Sequence, residues 1–94
     1  MEKKINPEQV LVDLDNQPIM VGDKPITMGR AIALCILQDK SPDPLRAYIL
    51  SQEYAKAIGE LTIKESDREY VTSTVKNSTI FGALIKGPIL LALQ

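Results

Sequence analysis

The chain has 94 residues, 45% of them hydrophobic and 24% charged, with 11 basic and 12 acidic side chains and a formal net charge of −1. That length is one domain, able to bury about 60–65% of its unfolded surface, and a balanced charge with no block of one sign excludes the electrostatic footprint that nucleic acid requires. There is no histidine and a single cysteine, Cys35; this removes the commonest general base and metal ligand, excludes a zinc site and an internal disulfide, and fits a reducing compartment.

The opening MEKKINPEQ is polar and leads into no apolar h-region, so residues 1–8 read as a flexible N-terminus and not as a secretory signal. No run of 18 apolar residues occurs, which argues against a membrane partner and sets the cytoplasm as the expected location. Residues 9–27 read as a β-hairpin. In VLVDLDNQPIMV, Val10, Val12 and Leu14 alternate with Leu11 and Asp13 at the period of a half-buried strand. Asp15-Asn16 tolerates the left-handed backbone of a tight turn, Pro18 marks an edge, and GDKP at 22–25 is a second turn.

The remainder, 28–93, reads as helical. Thr27 is the expected N-cap of a first helix over 28–39. Its run AIALCIL is apolar on nearly every face, which buries Cys35 and hints at cover from a partner subunit. SPDP stops that helix and starts a second over 44–58, with Asp43 as cap and Pro44 in the first turn. Leu45, Tyr48, Ile49, Ala55 and Ile58 form its apolar stripe, and Gly59 closes it. Thr62-Ile63-Lys64-Glu65 has the form of a capping box opening a third helix over 63–76. That helix turns Ile63, Tyr70, Val71, Thr74 and Val75 inward and Lys64, Glu65, Asp67, Arg68 and Glu69 to solvent. A fourth helix, bent near 86–87 by Gly87-Pro88, starts at 80–83 and reaches 93.

Chemical motifs are scarce. DLDNQP starts like a calcium loop at Asp13, but that loop needs Gly and Glu where Pro18 and Lys24 stand. Ser73-Thr74-Val75-Lys76 matches S-x-x-K without the S-D-N and K-T-G elements that give the pattern its chemistry. No phosphate-binding glycine loop occurs. The expectation is therefore a protein that is not an enzyme and needs no cofactor, metal or nucleic acid.

The tail STIFGALIKGPILLALQ carries one charge, Lys86. Three readings account for it. It is a core helix, with Leu84, Leu90, Leu91 and Leu93 inward; it is a homo-oligomer interface as well; or it is a membrane-surface helix, for which a single lysine is too little. Self-association is favoured, as a two-fold dimer with Ile80, Phe81, Leu84, Ile85 and Ile89 at the interface. A competing class is a nucleotide or small-ligand binder with its pocket where subunits meet, using residues such as Thr27, Arg30 and Tyr54.

In order, VLVDLDNQPI, KPITMGRAIALCIL, YILSQEYAKAI, ELTIKESDREYV and LIKGPILLALQ resemble the layout of a group of small proteins encoded by tailed phages and prophages. That group runs as a DLDG-x-P hairpin, an LTLG helix entry, a helix with a YxLA core, a capped third helix and a short last one. The chain departs from it at Asn16, where glycine is usual, and at Pro88. The resemblance implies an α+β fold, a β-hairpin packed with three to four short helices. It also implies an accessory role by surface contact, with a host or defence factor or with a phage assembly protein. No site residues come with it.

Overall fold

A computed structural model describes residues 3–38 and 43–94. Its elements are, in order, β1 (Lys3–Ile5), β2 (Met20–Val21), β3 (Lys24–Pro25), α1 (Met28–Gln38), α2 (Pro44–Lys56), β4 (Leu61–Ile63), α3 (Glu65–Asn77) and α4 (Ala83–Leu93). The fold is α+β, with N-terminal strands and four helices among the described residues, as expected.

Segment 10–27 doubles back twice. The first reversal is built at Asp13, whose Oδ1 accepts from the amides of Asp15 (2.9 Å) and Gln17 (3.0 Å), while Asn16 takes a φ of 64°. Asp13 is thus a turn residue, and local side-chain-to-backbone bonding is the reason aspartate and asparagine occur there. At the second reversal Gly22 adopts a φ of 67° between the antiparallel pairs Met20↔Pro25 and Val21↔Lys24, where glycine carries no Cβ penalty. Three backbone bonds then close a ring. Leu11 donates to Ile26, Ile26 to Ile19 and Ile19 to Leu11, at 3.0, 2.8 and 2.9 Å. The buried face of this meander is Leu11 and Ile26, with Ile19 packed behind them, while Val10, Val12 and Leu14 are exposed. The alternation is present, and its inward phase belongs to Leu11.

The N-terminal segment is structured over the described residues 3–8, contrary to the expected flexible 1–8. Lys3–Ile5 pairs antiparallel with Leu61–Ile63, setting Ile5 opposite Leu61, and Ile5 and Ile63 are both buried. The chain beyond β1 then serves α1. The Gln9 carbonyl accepts from Met28, the Pro7 carbonyl from Gly29 (both 2.9 Å), and Thr27 Oγ1 from Arg30 (3.3 Å). These amides have no intrahelical acceptor, so the segment and the expected Thr27 cap together satisfy the helix start.

α1 is the centre of the molecule. Met28, Ala31, Ile32, Cys35 and Ile36 are buried, and α2, α3 and α4 of the same chain pack on it. Most of its apolar surface is thus covered within one chain; Leu37 stays 53% exposed and Leu34 is half-buried.

α2 starts as expected, with Asp43 Oδ1 accepting from the Arg46 amide at 3.0 Å and Pro44 in the first turn. It ends at Lys56, before Gly59. Its orientation corrects the expected stripe: Ala47, Leu50, Ser51 and Tyr54 face inward, and Leu45, Tyr48, Ile49, Ala55 and Ile58 are exposed. Close approach decides this. A Cβ on Gly29 would run into the Tyr54 carbonyl oxygen and come within 2.8 Å of the Pro7 Cβ, so α1 and α2 meet where side chains are small. Ser51 costs nothing there, since its hydroxyl donates to the Tyr48 carbonyl at 2.8 Å.

The expected capping box at Thr62–Glu65 does not form. Residues 61–63 are taken by the ladder with β1, α3 begins at Glu65, and its N-cap Lys64 makes no side-chain cap bond; Glu65 pairs with Arg68 at 2.8 Å. The region 28–93 is therefore helical with one strand in it. Val71, Thr74 and Val75 face inward as expected, and the Thr74 hydroxyl donates to the Tyr70 carbonyl.

α4 runs unbroken through Pro88. Proline leaves the carbonyl four residues earlier without its donor; that residue is Leu84, on the solvent side, where water can serve the oxygen. Ile85, Ile89 and Leu93, one turn apart, enter the core. α3 and α4 also close each other's ends. Lys86 Nζ of α4 donates to the Lys76 carbonyl at the end of α3, and Arg68 of α3 donates to the Leu93 carbonyl at the end of α4, both at 3.2 Å. A cation against the last carbonyls opposes the negative pole of each helix.

Candidate interaction surface

The five residues expected at an interface separate by depth. Ile89 is fully buried and Ile85 nearly so, both in the chain's own core. Ile80 and Phe81 are partly buried and packed against that core, and Leu84 is exposed. Most of the tail's apolar surface is thus covered intramolecularly. On the outer side of α4, Leu84 (45% exposed) and Leu91 (69%) remain.

The larger uncovered apolar face is on α2. Leu45, Tyr48 and Ile49, at positions i, i+3 and i+4 of one helix face, are 67, 57 and 55% exposed. Beside them a shallow cleft of about 300 Å³ is lined by Asp43, Leu45, Arg46, Ile49, Leu50 and Asp67. Its polar wall is braced across α2 and α3. The Arg46 guanidinium stacks over the Tyr70 ring at 4.6 Å and bonds Asp67 Oδ1 at 3.0 Å. A planar guanidinium held on two sides is a fixed feature rather than a free surface charge. The arrangement is three large apolar groups on one helix face, edged by a paired charge.

Sequence reasoning puts these three residues in the single apolar stripe of α2. The signal that would have reversed the choice is side-chain size. The competing stripe Ala47, Leu50, Ser51, Tyr54 holds the two small residues that close helix contact needs, and Gly29 supplies the matching small position on α1.

The groups with chemical potential are occupied otherwise. Cys35 is buried, and burial raises its thiol pKa against the lowering effects of a hydrogen bond with Ser78 and the charge of Lys86. Burial likewise pushes up the Tyr54 phenol, helped by the charges of Asp67 and Glu53. The Thr27 hydroxyl caps α1, and Tyr54 is in the core. Ser73 is exposed, and its hydroxyl accepts from the Asn77 amide at 3.4 Å. Among the described residues, no three His, Cys, Asp or Glu side chains stand close enough to hold a metal ion, and no helix is long and apolar enough to cross a membrane.

No protein-family model, curated protein or solved structure matches the chain.

Proposed function

We propose that this protein is a non-enzymatic interaction module that self-associates, as a two-fold dimer, and acts in the cytoplasm by binding another protein. The observation that carries the reading is the outer face of α2: Leu45, Tyr48 and Ile49 side by side and more than half exposed on a helix whose other face is already packed. Soluble monomers keep such contiguous apolar surface small, and an isologous pair of copies is the commonest way to cover it. The non-enzymatic part is supported by a chain without histidine, whose only thiol is buried and shifted away from the reactive thiolate. The layout shared with small tailed-phage proteins supports a phage-encoded accessory role, directed at a host or defence factor or at a phage assembly protein.

Light scattering coupled to size exclusion tests the assembly. The wild type is expected at about twice the 10.4 kDa chain mass. The double variant Leu45→Glu, Ile49→Glu is expected at the single-chain mass, still folded, with the melting temperature of wild type diluted to its monomer, because both side chains are exposed and association stabilises the fold only by mass action. A wild type that stays at single-chain mass at high concentration overturns self-association. A dimer lost on Leu84→Asp but kept in the α2 double variant moves the interface to α4.

A further inference from the structure

We draw no further inference here: the strongest candidate, the cleft of about 450 Å³ between α3 and the end of α4 lined by Arg68, Thr72, Ser73 and Lys76, carries nothing, because both terminal nitrogens of Arg68 are already held by Glu65 and the Leu93 carbonyl, its unpartnered Nε belongs to a side chain that is 30% exposed, and Glu69 opposes the remaining charge in the same lining.

Discussion

A methyl group added at Gly29 meets backbone: the Tyr54 carbonyl on one side and Pro7 on the other. One added at Gly87 meets nothing within 4 Å. Both glycines lie in helices, where alanine is intrinsically favoured by about 1 kcal/mol, so the surroundings set the sign. Gly29→Ala is expected to destabilise by about 1–3 kcal/mol, the cost of overpacking; at Gly87 the helix preference for alanine is offset because Pro88 disfavours helical backbone in a preceding residue with a Cβ, so Gly87→Ala is expected to change stability by less than about 1 kcal/mol, and urea denaturation separates the two. Tyr54 makes a pH prediction. Its folded pKa is raised above the ordinary 10.0, so the folded state retains the proton that the unfolded state gives up. The stability this contributes is complete below pH 10 and is lost as pH climbs from there toward the folded value. Cys35 acts in the same direction from its ordinary value of 9.0 upward. Thermal melts between pH 8 and 11 should therefore show a steeper loss in the wild type than in Tyr54→Phe; equal slopes would refute the assignment. At this scale much was legible. Asn16, Thr27 and Asp43 act within four residues of themselves, and such chemistry can be read from neighbours in the chain.

Elements were legible in number and type, less so in orientation. All four helices were expected close to where they lie, because proline, glycine and capping residues mark their ends. The inward face of α2 was not, because the helix carries two apolar stripes and only contact with α1 chooses between them. The box at Thr62–Glu65 was lost for a related reason: a ladder with residues 3–5 outcompetes a local cap, and nothing near residue 62 announces it. The tail was half legible. It does enter the core, but through Ile85, Ile89 and Leu93; of Leu84, Leu90, Leu91 and Leu93, expected inward, Leu84 and Leu91 are exposed and Leu90 is half-buried. Ile89→Asp is accordingly expected to unfold the protein, since an unpaired carboxylate in the core costs several kcal/mol against a total stability of about 5–15. Leu84→Asp, exposed one helical turn before Pro88, should keep the wild-type circular dichroism melt. A folded Ile89→Asp variant would contradict the packing of α4.

As a whole, the molecule has a radius of gyration of 12.4 Å, against about 12 Å expected for a compact domain of this length. The core cluster is closed within one copy, so self-association as proposed would add to a finished fold instead of completing one. On that reading, charge introduced on α2 should lower assembly mass and remove only the concentration-dependent part of the melting temperature, leaving a folded monomer; an unfolded variant would mean that folding and association are one process. The surface proposed to carry function was the least legible level, because exposure is what remains after every element has chosen a partner.

The β1–β4 ladder joins residues 3–5 to residues 61–63. During synthesis the first strand has to wait for nearly sixty further residues, about 3–12 s at ordinary elongation rates. Loops of that span close late because their entropy cost precedes any reward. Until then, Ile5 has no partner strand, so residues 3–5 are among the last of this fold to settle.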